Sequence, residues 1–377
     1  MKCKLVQLTI FSILLLACGE DAEVVKKDSF VTQSTKKNDY KEELQKLNKI
    51  LAKNPDNVEV LVERGNLALA NYDLMMAFAD AARAYRLDSG RVDTRLLYAS
   101  ALINRPNSSK QDKQVAHEHF KKLLEQEPTN TKVMTGLANT YIFQQDIKNA
   151  QYWIDRALEI DSKFIDAHIL KGSIYKMLYS ALHEDPESQK LANAYLDTAI
   201  MTFSHITEIY PENHVMYVYL GVLLQQQDDP VCIDHYLSAV QLQPDSIDYK
   251  YSLAYAYGEF DKEREAMKLY KEMIIQDSTY YEAYCQMGQI LQFKFEEIDS
   301  AMNYYSQVIE LDPYHLDAFV NIGIAYEEKG DITRALQNYS KAIAIEPQYR
   351  KPTMSVAQFN EQQQMARENA DKLRKKL

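Results

Sequence analysis

Apolar residues recur along most of the chain at the spacing that one face of a helix requires. Near the C-terminus, Phe319, Ile322, Gly323 and Tyr326 stand three, four and seven residues apart, so they fall on one helix face. A second helical pattern follows and ends at Pro347, which cannot continue a helix. Small residues in both patterns allow the two helices to approach closely. The segment is therefore predicted to form a helical hairpin.

The hairpin pattern recurs upstream with a period of about 34 residues, which is typical of a repeat array. Its eight copies begin at Val58, Val92, Thr131, Ile165, His214, Ile247, Tyr281 and Leu316. The predicted repeats are therefore 58–91, 92–130, 131–164, 165–213, 214–246, 247–280, 281–315 and 316–349. Agreement of several spaced positions over so many residues predicts one continuous array.

The last copy shows most clearly what the pattern resembles. Gly323, Tyr326, Ala335, Tyr339 and Ala342 stand at the offsets where the tetratricopeptide repeat has a small residue, Tyr, Ala, an aromatic residue and Ala. The resemblance implies an all-α fold, an α-solenoid of about eight helix-turn-helix repeats wound into a right-handed superhelix. In that family the first helices line a concave groove.

Both flanks of the array are predicted to be helical caps. Residues 39–57 form an N-terminal capping helix that ends near Pro55, and residues 350–377 form a charged C-terminal capping helix. Terminal repeats of a solenoid need such polar caps, because they otherwise expose the face that stacks on the next repeat.

Two insertions interrupt the period. The first is the polar loop from Asn104 to Lys110, and the second, from His183 to Ser188, predicts two overlong helices in the fourth repeat. Asp185 and Pro186 suggest that the second of these helices begins early, with Asp185 as its N-cap. The insertion is either a tolerated surface elaboration or a docking element.

The N-terminus resembles a bacterial lipoprotein signal. Lys2 and Lys4 precede a mostly apolar run from Leu5 to Leu16, which is too short to span a bilayer but has the length of a secretory signal. The following Ala17 and Cys18 complete a lipobox, which implies cleavage after residue 17 and acylation of Cys18. An ordinary cleaved signal and an uncleaved anchor are the alternatives.

The lipobox resemblance also implies a location. Gly19, in place of Asp, implies transfer to the outer membrane, on either its periplasmic or its surface face. Residues 18–38 are polar and are predicted to be a flexible tether between the lipid and the array.

Composition narrows the function classes. Apolar residues make up 46% of the chain and charged residues 26%, as expected for a folded chain. A net charge of −11 disfavours nucleic-acid binding, which depends on clustered Lys and Arg. Four cysteines are too few for a disulfide scaffold of 377 residues.

No enzyme, metal or cofactor motif occurs in the sequence, so we predict a non-enzymatic protein without a cofactor. His117 and His119 are two residues apart and point to different faces of a helix, which makes them a poor metal pair. We expect both to be solvated surface residues.

The remaining candidate site is the groove that the resemblance implies. Positions 2, 5, 9 and 12 of each first helix lie about 140° around the helix from its packing stripe. In tetratricopeptide repeat proteins these positions hold peptide ligands. The candidate partner-binding residues in this chain are Asn66, Asn139, Val218, Val222, Tyr251, Tyr255, Gln289 and Ile324.

Four of these candidates, Val218, Val222, Tyr251 and Tyr255, are predicted to form an apolar and aromatic patch. An exposed apolar cluster indicates a partner. The alternative is that these side chains pack against one another inside the array. The basic clamp that some family members use for acidic tails, Lys at position 5 with Asn at position 9, is absent from every repeat.

Together these patterns predict a membrane-anchored lipoprotein that acts as a protein–protein interaction scaffold, with a protein or peptide partner in its groove. Assembly of a cell-envelope complex is one role that fits this architecture. The competing prediction is an outer-membrane lipoprotein that binds glycans or nutrients.

Overall fold

A computed structural model describes residues 37–183, 185–350 and 354–375, with side chains from residue 40 onward. Within these ranges the chain forms eighteen α-helices and one short 3-10 helix, and no β-strand. The predicted signal peptide, Cys18 and nearly all of the predicted tether lie outside the described residues.

The helices follow one another in hairpins. Their bounds are α1 Lys37–Lys53, α2 Val58–Ala70, α3 Leu74–Leu87, α4 Val92–Asn104, α5 Lys110–Gln126, α6 Thr131–Phe143, α7 Ile147–Ile160, α8 Ile165–Leu182, α9 Gln189–Ile209, α10 His214–Gln225, α11 Cys232–Leu242, α12 Ile247–Glu259, α13 Glu263–Gln276, α14 Tyr281–Phe293, α15 Ile298–Leu311, α16 Leu316–Glu328, α17 Ile332–Ala344 and α18 Val356–Arg374, with the 3-10 helix Pro347–Tyr349 before α18. The first helix of each hairpin begins at one of the eight residues at which the sequence pattern begins a copy. The fold is an all-α solenoid, as predicted.

Local chemistry explains where these helices start and stop. The side chains of Asn57, Asn130 and Ser246 accept backbone N–H bonds at the first turns of α2, α6 and α12. The turn within a hairpin commonly contains a residue with positive φ, which ends the first helix. Such residues are Tyr72, Asn107, Gln145, Asp228, Asp261, Glu296 and Gly330.

The chain divides into two compact units, with the boundary inside α10 between Leu220 and Gly221. The N-terminal unit holds α1 to α9 and the first part of α10. Its core includes a cluster in which Ala138 and Ile142 of α6 meet Ile154 of α7 and Ala167 and Leu170 of α8. One repeat therefore buries its apolar face against the next, as the stacking of a solenoid requires.

The C-terminal unit, residues 221–375, ends in the capping helix α18. Phe359 and Leu373 of α18 pack against Tyr339 of α17 and are almost fully buried. The amide nitrogen of Gln363 donates to the carbonyl oxygens of Ile343 and Ile345, at 3.0 and 2.7 Å. The cap therefore satisfies carbonyl groups at the end of α17 and also covers its apolar face.

Most glycines at position 8 of a first helix lie directly under an aromatic ring of the second helix. A Cβ atom on Gly323 would stand 2.6 Å from Cε1 of Tyr339, and one on Gly288 would stand 2.4 Å from Cε1 of Tyr305. Gly172 faces Phe203 in the same way. These glycines therefore serve helix packing, because no larger residue fits beneath the ring.

Buried polar groups link consecutive repeats of the C-terminal unit. The hydroxyl of Tyr305 donates to Oε1 of Gln292 at 3.0 Å, and Nε2 of Gln292 donates to Oε2 of Glu328 in the next repeat at 3.0 Å. Gln292 is buried, so both ends of its amide are satisfied inside the fold. The link holds two first helices in register.

The fourth repeat has the overlong helices that its insertion predicts, with 18 residues in α8 and 21 in α9. The expected early start of α9 is wrong, because α9 begins at Gln189 after Ser188. Asp185 instead accepts a hydrogen bond from the hydroxyl of Ser188 at 2.6 Å, within the turn before the helix. The side chain therefore stabilises the turn and leaves the helix start uncapped.

The predicted exposure of His117 is also wrong. Its ring is buried, and Nδ1 lies 2.8 Å from the hydroxyl of Thr140 on the next first helix. His119 is half-buried and stacks edge-on against Tyr85 and Tyr98. Both histidines are packing residues, which their charge-bearing side chains alone did not indicate.

Substitution of Gly323 by Ala should destabilise the protein by about 1–3 kcal/mol, because the new methyl group overlaps the buried Tyr339 ring. Gly258→Ala is the matched control, since a Cβ there meets no atom within 4 Å. That change should stabilise α12 by about 0.5–1 kcal/mol. Urea unfolding measures both, and equal effects of the two substitutions would contradict the packing role of Gly323.

Candidate partner-binding site

The predicted groove residues lie on the first helices, but their exposure differs widely. Asn66 on α2 is exposed, whereas Gln289 on α14 and Ile324 on α16 are half-buried. Ile324 packs beside the apolar cluster that α18 closes. Of these three residues, Asn66 is therefore the most accessible to a partner.

Tyr251 and Tyr255 do not present the exposed aromatic surface that was expected. Their exposed fractions are 9% and 5%, and their rings stack 6.4 Å apart. Tyr251 also packs edge-on against Tyr270 and Tyr280, each with ring centroids 6.0 Å away. The two tyrosines belong to the core of the C-terminal unit. Their surroundings therefore match the alternative in which these side chains pack inside the array.

The two valines of the predicted patch fall in different units. Val218 is half-buried in the N-terminal unit, and Val222 is buried in the C-terminal unit. Their contribution to partner binding stays a prediction.

The N-terminal unit carries a buried polar row on its first helices. Ser100 of α4 and Asn139 of α6 occupy position 9 of successive repeats, and Asn139 is only 3% exposed. Oδ1 of Asn139 is buried and has no hydrogen-bond donor. A buried amide oxygen without a donor is costly, so this atom is suited to receive an N–H group from a ligand.

Asp166 is a second buried acceptor that the sequence reading did not select. It is the second residue of α8, is 8% exposed, and its Oδ1 has no hydrogen-bond donor. Burial raises the pKa of Asp166 to about 6, and nearby Lys132 opposes the shift only partly. An acidic residue in the first turn of a helix is ordinary, so no sequence signal distinguishes it from similar residues in other repeats.

No three His, Cys, Asp or Glu side chains among the described residues are arranged to hold a metal ion. Burial raises the pKa of the Cys232 thiol to about 12, so the thiolate nucleophile is not formed at neutral pH. What the site offers is hydrogen-bond acceptors and packing surface, which serve binding.

Substitution of Asp166 by Asn should stabilise the protein at pH 7. The folded state holds the Asp166 proton more tightly than the unfolded chain, whose pKa is near 3.8. The carboxylate therefore opposes folding above pH 6, by on the order of 3 kcal/mol, and this penalty disappears as the pH falls toward 4. Urea unfolding should show that Asp166→Asn has a higher free energy of unfolding than the wild type at pH 7 but not at pH 4.

Asp93→Asn is the control, because Asp93 occupies the same position in the second repeat but is bonded to Arg91 at 2.6 and 2.9 Å. These bonds lower the pKa of Asp93, so its charge stabilises the folded state at neutral pH. Asp93→Asn should therefore destabilise at pH 7. If the free energy of unfolding depended on pH equally in the wild type and in Asp166→Asn, the buried charge of Asp166 would not destabilise the folded state.

Two family models match the chain. The TPR domain of cytochrome c-type biogenesis protein H matches residues 31–160, and a general tetratricopeptide repeat model matches residues 281–315 and 316–349. The latter ranges are the predicted bounds of the last two repeats.

Sequence relatives include large glycosyltransferases. Human protein O-mannosyl-transferase TMTC3 is 23% identical over 301 residues, which cover 78% of this chain and 30% of the relative. The UDP-N-acetylglucosamine–peptide N-acetylglucosaminyltransferase of Giardia intestinalis is 38% identical over 71 residues, 19% of this chain and 5% of the relative. The chain thus spans less than a third of the length of these relatives.

A solved structure shows the same fold. The C-terminal part of a TPR repeat-containing protein from Cytophaga hutchinsonii superposes with a TM-score of 0.51 and 16% identity, covering 68% of this chain and 97% of that one. Helical hairpins of the predicted period, family models at both ends of the array and this structural likeness agree. The chain therefore contains tetratricopeptide repeats at residues 281–315 and 316–349, within an all-α solenoid.

Proposed function

We propose that this protein is a non-enzymatic interaction scaffold that binds a protein or peptide segment along the first helices of its repeats. In the same proposal, acylated Cys18 anchors it at the outer membrane, and the scaffold assembles a cell-envelope complex. The observation that carries the binding role is Asn139, whose buried amide oxygen has no donor within the described chain.

The repeats themselves support a binding role. Helical hairpins occupy the described residues from α2 to α17, and the tetratricopeptide fold is generally non-catalytic. The glycosyltransferase relatives are matched over less than a third of their length, so the match supports a shared repeat region and carries no activity to this chain.

The anchoring part of the proposal is supported by the sequence around Cys18. No helix among the described residues is both long and apolar enough to cross a bilayer. A single acyl chain binds membranes only weakly, at roughly 10⁴ M⁻¹, whereas the multiple acylation that the lipobox implies gives stable attachment.

Cys18→Ser should move the protein from the membrane pellet to the soluble fraction. The side chains of the array are unchanged, so the helical circular dichroism should stay the same. Cell fractionation followed by immunoblotting measures the distribution, with Cys285→Ser as the control that leaves the lipobox intact. A Cys18→Ser protein that stays in the membrane fraction would disprove anchoring through this residue.

A photoreactive amino acid at Asn66 should crosslink a partner in intact cells, because this groove position is exposed. The matched control is the same amino acid at Ile275 on α13, a second-helix residue that is 85% exposed. Mass spectrometry of the products identifies the crosslinked protein. Products that form equally well from both positions would argue against the groove as the binding surface.

A further inference from the structure

We propose that Asp166 receives the cationic side chain of a lysine or arginine in the bound partner segment. The inference rests on the proposed function, and it adds the chemistry of the partner. It reverses the clamp used for acidic tails, in which the groove supplies the positive charge.

Asp166 is the second residue of α8 and is 8% exposed. The next residue, Ala167, packs with Leu170 in the cluster shared with α6 and α7, and Gly172 lies under Phe203 of α9. Oδ1 of Asp166 is buried and has no donor.

Other acidic residues at position 2 do not share this state. Asp93 is half-buried and forms two bonds with Arg91, and Asp248 is exposed to solvent. Within the described residues, Asp166 is the only carboxylate with a buried oxygen that lacks a hydrogen-bond partner. Burial without a partner therefore singles out this position from its equivalents.

The electrostatic surroundings of Asp166 favour a cation. Lys132, an exposed residue at position 2 of the preceding repeat, carries the positive charge that opposes the rise in the pKa of Asp166. Burial raises the pKa of the Tyr210 hydroxyl, and the negative charges of Asp161, Glu212 and Asp166 add to that rise. A local excess of negative charge attracts a positive ligand.

A cation also solves the hydrogen-bonding problem, because ammonium and guanidinium groups donate several N–H bonds while neutralising the carboxylate. A neutral donor would satisfy Oδ1 but leave the charge buried and uncompensated. Asn139 lies on α6, which packs against α8, and its Oδ1 is a second buried acceptor without a donor.

The test is selection of a random octapeptide display library on the full-length acylated protein in detergent micelles. Enriched peptides should share a lysine or arginine at one position. With a synthetic copy of an enriched peptide, Asp166→Asn should weaken binding by about tenfold or more, as for other close charge pairs. Asp93→Asn, whose carboxylate is engaged by Arg91, should change the affinity by less than about twofold.

A double-mutant cycle isolates the contact. Replacing the shared basic residue of the peptide by norleucine should weaken its binding to the wild type by about the same tenfold. The same replacement should leave the affinity for Asp166→Asn almost unchanged. The peptide change does not touch the protein fold. Thermal unfolding of the same samples should show Asp166→Asn at least as stable as the wild type, so that lost binding is not lost structure.

Four outcomes would overturn the inference. The contact would be excluded if the enriched peptides shared no lysine or arginine. It would also be excluded if the norleucine peptide lost the same affinity for the wild type and for Asp166→Asn. Either result would leave the scaffold function intact. Undiminished binding by Asp166→Asn would show that the carboxylate of Asp166 does not contact the peptide. Failure of the library to enrich any sequence over bare micelles would overturn the proposed binding function as well.

Discussion

Close approach of the two helices in a hairpin is the constraint on which the rest of the structure depends. A large ring on the second helix, such as that of Tyr305 or Tyr339, lies over the bare backbone of a glycine on the first. Position 20 is also small and fully buried in every repeat, as at Ala301 and Ala335. Because the two helices are this close, each hairpin packs tightly and stacks as one unit on its neighbours.

Stacking of these hairpins then decides which polar groups are satisfied. The Tyr305–Gln292–Glu328 link closes a chain of hydrogen bonds between consecutive repeats of the C-terminal unit. The N-terminal unit buries Asn139 and Asp166 without donors for their Oδ1 atoms. Unsatisfied buried acceptors reduce stability, so each of them calls for a physical explanation, and a ligand is one.

The buried acceptors of α6 and α8 matter beside the aromatic part of the groove. Tyr251 and Tyr255 were the aromatic part of the predicted patch, yet they pack among other tyrosines. Their contribution is to the core of one unit. A groove that offers hydrogen-bond acceptors and negative charge favours a partner with positively charged N–H donors. Electrostatic complementarity of this kind governs specificity and association rate more than affinity.

The periodicity of the sequence by itself determined the all-α class, the number of hairpins and the residue at which each first helix begins, because a 34-residue repeat and helical spacing are local properties. It also identified the glycines that packing requires. Exposure, however, is decided by what the neighbouring repeats place over a side chain. Equivalent positions such as Asp93 and Asp166 therefore look alike in sequence and differ in burial, partners and pKa. His117, Tyr251 and Tyr255 were predicted to be exposed for the same reason, and only the tertiary structure showed that they are covered.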